Sequence, residues 1–469
     1  MRQHGEQGKS VTVNQKFSIT MRLKILTLLI FLPGLLEGQE ILNEYVKYGI
    51  DNNLALQQKQ SDYQKSIEAL REARALFYPS ISFNARYTLS EGGRVIDFPI
   101  GDLLNPAYST LNSLTSSGMF QMVENQQINF LRPQEHETKL RLIQPVVNPD
   151  IYYNSQIKKE LTVFEDEDVN QYKRELVADI KKSYYNAATA DGVLSMLMET
   201  RKLLTENVRV NKKLTENDKI TLDYLYRSET ELSKFDQELQ NAEKNKKIAC
   251  AYFNFLLNRE LTDSIIILQA DVFPILSDFT SDYSQSAIEN REEIKKLSSY
   301  SNISDMQIRM NRSERLPDMF LAVDYGFQGT EYRFNNNQDY LQASAILTWN
   351  LFSGFQNKSR IRQSVLEKEA IERKLEETKK QIELQVINTM NELYTAEKGI
   401  VAAESRLKNA REGFRLVNRK YEEGQASLIE FIDARTTLTQ AEENLIISRF
   451  NYLSCFAEFE KVTAINKSE

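Results

Sequence analysis

The residues that most often carry out catalytic or metal chemistry are scarce in this sequence. It has two histidines, His4 and His136, and two cysteines, Cys250 and Cys455. Neither cysteine lies in a CxxC pattern or at the spacing of a metal site, so we expect no metal, no cofactor and no disulfide framework. Ser-His-Asp, HExxH and phosphate-loop patterns are also absent, which makes a hydrolase the least favoured class and predicts that the chain is not an enzyme.

The overall composition favours long helices and argues against a nucleic-acid partner. The chain has 469 residues, of which 27% are charged, and its net charge is -7. Nucleic acid binding needs clustered basic surface, so no nucleic acid is expected as a partner. All nine prolines lie at or before Pro317, and none lies between Pro149 and Pro274. Because proline breaks helices, these two gaps predict two long helical regions.

The N-terminus has the layout of an export signal. A basic start, Met21-Arg22-Leu23-Lys24, precedes an apolar run from Ile25 to Leu36 that is too short to span a bilayer. Gly38 then offers a small residue for cleavage. We therefore interpret residues 1–38 as an N-terminal extension and secretory signal peptide, and no later stretch is apolar enough for a transmembrane helix.

The rest of the chain contains an internal duplication. Four motifs of the first half recur in the same order in the second half, three of them at offsets of 205 to 207 residues. They are Tyr78-Pro79 with Leu316-Pro317, residues 143–149 with 348–354, residues 217–226 with 424–433, and Cys250 with Cys455. The order predicts two structural repeats, and it places the cysteines on equivalent elements as free, buried thiols.

The proline pair is offset by 238 residues, so the first half contains about 33 extra residues, which lie between Ser90 and Glu135. We assign residues 39–258 to the first repeat, 259–300 to a connector and 301–469 to the second repeat. The predicted strands cover about 80–90 and 136–148, then about 318–329 and 339–352. The predicted helical hairpins cover about 151–257 and 355–460.

The strands are predicted from alternation with a period of two. Residues 81–89 alternate apolar and polar side chains without interruption, and residues 319–327 and 341–349 do the same. A soluble sheet and a membrane barrel share this pattern. An exported chain with only four strands favours the barrel, and because a small closed barrel needs about eight strands, several subunits must combine theirs.

The helices are predicted from heptad spacing. In the second repeat an apolar seam with steps of three and four residues runs from Leu375 to Tyr421, and its members are Leu375, Thr378, Ile382, Val386, Thr389, Leu393, Ala396, Ile400, Ala403, Leu407, Ala410, Phe414, Val417 and Tyr421. About 65 helical residues form a rod of about 100 Å. Gly424 interrupts the pattern, and Asn217-Asp218 interrupts it in the first repeat. Both features predict antiparallel helical hairpins, with Asn217 in the left-handed conformation that glycine usually adopts.

At this point the sequence resembles the TolC-like outer-membrane factor family, the outer membrane efflux proteins. The resemblance rests on the junctions at Tyr78-Pro79 and Leu316-Pro317, on residues 348–354 and on residues 421–434. It extends over nearly the whole chain from about Ile41 to Val462. Each local motif is weak, whereas the duplicated order is specific.

The resemblance implies an α+β, mainly α fold in a homotrimer. Each chain would contribute four strands to a 12-stranded outer-membrane β-barrel that continues into a periplasmic α-helical barrel. Residues 259–300 would form an equatorial connector, residues 90–135 a large extracellular loop and residues 330–338 a small one. The implied function is a passive exit duct of a tripartite efflux or type I secretion system.

The resemblance also implies partners and site residues. The helix turns at Asn217, Asp218, Gly424 and Gln425 would face a periplasmic adaptor (membrane fusion) protein, which is bound to an inner-membrane RND or ABC transporter. The barrel would contact outer-membrane lipid. Acidic residues at the narrow periplasmic entrance correspond to Glu430 and Asp433, with Asp223 opposite Glu430 in the first repeat. A ring of such acids favours cations.

Two alternatives remain open at this stage. Without the resemblance, Glu430 and Asp433 are better explained as ordinary solvated helix residues, and only the resemblance favours a ring at the entrance. The chain as a whole could also be an exported periplasmic coiled-coil chaperone or adhesin without a pore. That reading accounts for the heptads and the signal, but it leaves the duplicated strand pairs unexplained.

Overall fold

The computed structural model describes residues 37–267 and 283–465, so the predicted signal up to Leu36 lies outside the described residues. The fold is helix-rich α+β, as the sequence predicts. The chain divides into two compact units. Among the described residues, the first unit comprises 37–66, 161–267, 283–301 and 369–465, and the second comprises 67–160 and 302–368.

Apart from residues 90–133, the helices and strands follow the same order in both halves of the chain. We number the helices α1 (Glu37–Asn52), α2 (Leu54–Ala75), α3 (Ile100–Thr115), α4 (Pro149–Glu216), α5 (Leu222–Leu256), α6 (Tyr283–Asn290), α7 (Glu292–Ser313), α8 (Gln356–Glu422) and α9 (Leu428–Thr463). The strands are β1 (Ser80–Leu89), β2 (Val95–Phe98), β3 (Gln126–Asn129), β4 (Gln134–Val147), β5 (Asp318–Gly329) and β6 (Asp339–Thr348). None of the helices within the described ranges combines the length and the apolar character needed to cross a bilayer.

The two helix-to-strand junctions have the same backbone hydrogen bonds. After α2, the amide of Tyr78 donates to the carbonyl of Ala75 (3.0 Å), and after α7 the amide of Leu316 donates to that of Ser313 (2.8 Å). Each helix ends before a proline, because the residue that precedes proline is driven out of the helical conformation. All four positions are related by the 238-residue offset of the sequence motif.

Four strands form one antiparallel sheet in the order β1-β4-β5-β6. A row of apolar side chains crosses it, because the register places Phe83 opposite Leu140, Leu140 opposite Tyr325 and Tyr325 opposite Leu341. All four are exposed in the single chain. The sheet therefore presents an uncovered apolar face, which the period of two predicts.

The opposite face of the sheet carries ion pairs. Arg141 on β4 binds Asp324 on β5 through two hydrogen bonds, from Nε to Oδ1 (2.8 Å) and from Nη2 to Oδ2 (2.6 Å). Lys139 contacts Glu137 at 2.7 Å on the same face. These side chains alternate along β4 with the apolar ones, so each strand separates an apolar environment from a polar one.

The insertion between β1 and β4 differs from the prediction of four strands joined by plain loops. It contains the helix α3 and a second sheet, the antiparallel pair β2–β3. The strand prediction fails here because β2 and β3 have only four residues each, too few for alternation to stand out.

The helical hairpins pack through their predicted seams. Leu197 and Leu204 of α4 contact Phe235 and Leu239 of α5 in one buried cluster. In α8 the buried residues include seven seam positions, which confirms that part of the predicted heptad pattern: Ile382, Val386, Thr389, Leu393, Ala396, Ala403 and Ala410. Small alanines recur at the seam, which allows the partner helix to approach closely.

The connector assigned to residues 259–300 is partly helical. Residues 268–282 lie outside the described part of the chain, but α6 follows at once and α7 begins at Glu292, inside the assigned connector. Arg174 of α4, itself buried, donates to Glu292 Oε2 (2.8 Å) and Glu293 Oε2 (3.1 Å) at the start of α7. Acidic residues in the first helical turn also complement the helix dipole.

The second helix of each hairpin, α5 and α9, is here called its return helix, and the backbone shows one constant sequence offset between the two. Residues with positive φ stand at Asp218 and Gly424, and again at Asn258 and Ala464, so both pairs are separated by 206 residues. The predicted alignment of Cys250 with Cys455, at 205 residues, is therefore wrong by one position. Both cysteines are free, as predicted, but half-buried rather than buried. Burial raises the pKa of both thiols.

Candidate entrance site at the helical turns

The turn between α8 and α9 is built around Gly424. Its φ is +72°, a left-handed conformation that glycine adopts without steric cost. The amide of Gly424 donates to the carbonyl of Tyr421 (3.0 Å), and the amide of Gln425 donates to that of Lys420 (2.7 Å). These bonds satisfy carbonyl groups that the end of α8 would otherwise leave free.

The turn between α4 and α5 has the same geometry with different residues. The left-handed residue is Asp218 (φ +54°), which corrects the prediction of Asn217. The amide of Lys219 donates to the carbonyl of Leu214 (2.9 Å), in the way that Gln425 does in the second hairpin. Asn217 instead follows directly after the last residue of α4, and its side-chain Nδ2 donates to the carbonyl of Lys213 (2.6 Å).

Glu430 takes part in the start of α9. Ser427 is the N-cap residue, and its backbone amide donates to Oε2 of Glu430 (2.7 Å) while the Glu430 amide donates to Ser427 Oγ (3.3 Å). This reciprocal pair is a capping box. The hydrogen bonds from the Ser427 amide and hydroxyl lower the pKa of Glu430. The carboxylate is exposed and has a structural task besides any role at an entrance.

The first hairpin does not repeat this arrangement. Thr221 is the N-cap of α5, but its side chain makes no capping bond and its hydroxyl donates to Oδ1 of Asp223. The 206-residue offset places Asp223 opposite Ile429 and Glu430 opposite Tyr224. The expected equivalence of Asp223 and Glu430 is therefore shifted by one residue.

The structure brings two of the three predicted acids into one groove. Asp223 and Asp433 both line a shallow groove between α5 and α9, together with the cationic side chains of Arg227 and Lys234. Glu430 is not among the residues that line it. In a single chain, the two aspartates therefore lie in a mixed electrostatic environment rather than in a purely acidic one.

The sequence prediction missed two polar contacts that connect the hairpins. The hydroxyl of Tyr421 on α8 donates to Oδ1 of Asn211 on α4 (3.0 Å). Arg435 of α9 is buried, donates to Oγ1 of Thr200 on α4, and lies 5.4 Å from the ring centroid of Phe414 on α8. Neither contact has a local sequence signal, because each joins residues more than 200 positions apart or depends on helix packing.

A cavity of about 600 Å³ lies between α4, α5 and α9. Arg435 lines it, and so do Glu231, Glu238 and Glu443. Burial and the two neighbouring carboxylates raise the pKa of Glu238. Among the residues that the structure describes, no group of three or more histidine, cysteine or acidic side chains is placed to hold a metal ion.

Comparison with known proteins supports the family resemblance. Residues 283–461 match the family model of the outer membrane efflux protein, a family of channels rather than enzymes. That region contains α6 to α9 except the last residues of α9, together with β5 and β6. A search of the curated proteins finds no match.

Three solved structures are similar to nearly the whole chain. The outer-membrane channel OprN has a TM-score of 0.74 at 12% identity, and the match covers 93% of both chains. The Campylobacter jejuni CmeC outer membrane channel has a TM-score of 0.74 at 15% identity, with 92% of this chain and 87% of that chain covered. The open state of the Neisseria gonorrhoeae MtrE outer membrane channel has a TM-score of 0.72 at 14% identity, with coverage of 90% and 88%. The fold of this chain is that of these outer-membrane channels, and its residues 283–461 also match the family model of the outer membrane efflux protein.

Proposed function

We propose that three copies of this chain form an outer-membrane exit duct, which passes substrates from a periplasmic adaptor and an inner-membrane transporter to the cell exterior. The observation that carries this proposal is the sheet β1-β4-β5-β6, which has an exposed apolar face and two unpaired edge strands. Edge strands invite pairing with another chain. The family match over residues 283–461 and the similarity to solved channels support the same function.

The strand lengths and side-chain pattern suit a membrane barrel. β1 and β6 have 10 residues each, β5 has 12 and β4 has 14, so every strand is long enough for a membrane strand of about 9–11 residues. In the proposed barrel the row from Phe83 to Leu341 contacts outer-membrane lipid, and the Arg141–Asp324 pair faces the lumen. Three copies supply twelve strands, enough for a lumen, which four strands cannot enclose.

The hairpins supply the proposed periplasmic part. In this assignment the helices α4, α5, α8 and α9 of three chains form the helical barrel, and the connector around residues 259–300 surrounds it as an equatorial belt. The turns at Asn217, Asp218, Gly424 and Gln425 are exposed, so they are available to a periplasmic adaptor protein. Either an RND or an ABC transporter of the inner membrane fits this arrangement. Residues 39–258 and 301–469 then act as the two repeats of each subunit, behind a signal at 1–38.

The acids near the turns form the proposed entrance filter. Glu430, Asp433 and Asp223 are exposed in the single chain, and threefold symmetry would repeat each of them around one axis. Rings of carboxylates favour cations in channels. Asp433 and Asp223 share a groove, which supports a joint role for them, whereas the capping bond holds the Glu430 carboxylate in a fixed position.

Electron microscopy of the protein extracted from outer membranes in detergent tests the proposal. The expected particle is a trimeric hollow cylinder whose helical part is about 100 Å long. Soluble rods, or monomers without a lumen, would contradict the channel and favour the pore-free coiled-coil chaperone or adhesin. A requirement for detergent during extraction distinguishes the same two alternatives, because only the barrel presents an apolar belt to lipid.

A further inference from the structure

The insertion between β1 and β4 is folded against itself and is not an extended loop. Asn105 of α3 exchanges two hydrogen bonds with Val123, from Nδ2 to the carbonyl (3.0 Å) and from the Val123 amide to Oδ1 (2.8 Å). Asn112, two helical turns later on the same side, exchanges two similar bonds with Phe120 (2.8 and 3.1 Å). These paired bonds fix the returning chain against α3, so the side chains of the insertion have defined positions.

This rigid frame presents large apolar side chains to the outside. Leu103 and Leu114 are 77% exposed, Met119 is 82% exposed and Met122 is 66% exposed. Residues 98–123 contain a single charged residue, Asp102, in a chain that is 27% charged. Exposed apolar surface of this kind marks a contact with a partner or a membrane. We call these four residues the insertion patch.

The topology places the insertion at one edge of the four-stranded sheet. It connects β1, the edge strand of the sheet, to β4, and the strand that ends the sheet on the other side is β6. The loop 330–338 between β5 and β6 emerges at the same end of the sheet, since Leu89 pairs with Gln134 and the end of β5 pairs with His136. Phe334 in that loop is exposed as well.

We propose that the insertion patch is covered by a second copy of this chain, so that the extracellular ends of neighbouring subunits hold each other. This inference rests on the proposed trimer, in which β1 of one copy pairs with β6 of the next. The insertion of one chain then lies beside the loop 330–338 of its neighbour. A membrane surface fits the patch less well, because interfacial helices carry basic residues on their polar face and residues 98–123 contain none.

A photo-activated crosslinking side chain at position 114 of the full-length protein in native outer membranes identifies what touches the patch. The expected result is a chain-to-chain adduct with the mass of a dimer or trimer. A trimer that yields no such adduct, or yields adducts to lipid or lipopolysaccharide only, overturns the inference. Absence of any trimer by electron microscopy contradicts the proposed function itself, and the two failures are therefore distinguishable.

Charge placed on the patch provides a second measurement. The variant with Leu103→Glu and Leu114→Glu should dissociate into monomers at a lower temperature than the wild-type trimer, because it would bury two carboxylates at the contact. Ser109→Glu is the matched control, since it adds a carboxylate to the same helix on a different side. Equal dissociation temperatures for the wild type, the double variant and the control would contradict the inference.

Discussion

The hydroxyl of Tyr421 reaches across from one helical hairpin to the other and donates a 3.0 Å hydrogen bond to Oδ1 of Asn211. Asn211 is almost fully buried, and its Nδ2 donates to Asn207 (3.1 Å) on the same helix. The ring of Tyr421 stacks on Phe431 with centroids 4.7 Å apart. This polar link therefore lies between α8, α4 and the start of α9, directly next to the turns.

Tyr421→Phe should weaken the connection between the hairpins. The substitution preserves the ring stack but leaves the buried Asn211 oxygen without its donor, which costs about 1–3 kcal/mol. We expect a lower midpoint of thermal unfolding, followed by circular dichroism. Tyr226→Phe is the control, because Tyr226 is exposed and no described residue accepts a hydrogen bond from its hydroxyl. Equal losses in the two variants would mean that the link contributes no stability.

Neutralising the entrance acids should change ion preference in the assembled channel. The double variant Glu430→Gln with Asp433→Asn should reduce the preference for cations over anions in planar bilayers, since a carboxylate ring is a cation filter. Asp223→Asn should add to the effect because Asp223 shares a groove with Asp433. Glu376→Gln, an exposed site on α8 far along the chain from the turns, is the control. If ion selectivity were unchanged in all variants, these acids would be ordinary solvated surface residues with no role as a filter.

The capping box predicts a pH dependence for the start of α9. The pKa of Glu430 is lowered in the folded chain by the Ser427 amide and hydroxyl, so its contribution to stability is present above the pKa of an unfolded glutamate, about 4.3, and is lost as pH falls through the lower folded value. The unfolding midpoints of the wild type and Glu430→Gln should therefore differ at pH 6 and converge in acid. A difference that persists at all pH values would contradict this assignment.

Arg435 is expected to be more important for stability than its position near a turn indicates. It donates to Thr200 on α4 and lies beside the Phe414 ring on α8, so it links α9 to two other helices, and it approaches Glu442 of its own helix at 3.7 Å. Arg435→Met should destabilise the chain by about 2 kcal/mol, because hydrogen bonds to charged groups contribute about 1.5–3 kcal/mol. Arg415→Met, at an exposed pair with Glu412, should have little effect in the same unfolding measurement.

The parts of the fold that repeat a simple period were predictable from the sequence. One example is the α8 seam from Ile382 to Ala410, and another is the alternation in β1. In both, a weak preference for an apolar side chain at each position is repeated over many residues, so the period is clear. The fold of the insertion was not predictable, because β2 and β3 have four residues each and α3 is held by asparagine side chains rather than by an apolar seam. Ser427 and Glu430 do show the S-x-x-E signature of a capping box, a signal that was available in the sequence.

The contacts between the hairpins could not be predicted in this way. Asn211 and Arg435 lie within helical patterns where polar residues normally face solvent, and nothing near them in the chain indicates a partner. Their partners are set by how α4, α8 and α9 pack. The one-residue error in the repeat alignment has a related cause, since residue identity near the turns is less informative than the backbone conformation of Asp218 and Gly424.

The shared spacing of the left-handed residues restricts how this protein can change in evolution. Asp218 and Asn258 enclose the first return helix, Gly424 and Ala464 enclose the second, and the same number of residues lies between the members of each pair. An insertion or deletion in one return helix alone would leave one hairpin longer than the other. In the proposed duct it would also move one turn away from the level at which both turns meet the adaptor. We therefore expect changes in the length of these helices to occur in both hairpins together.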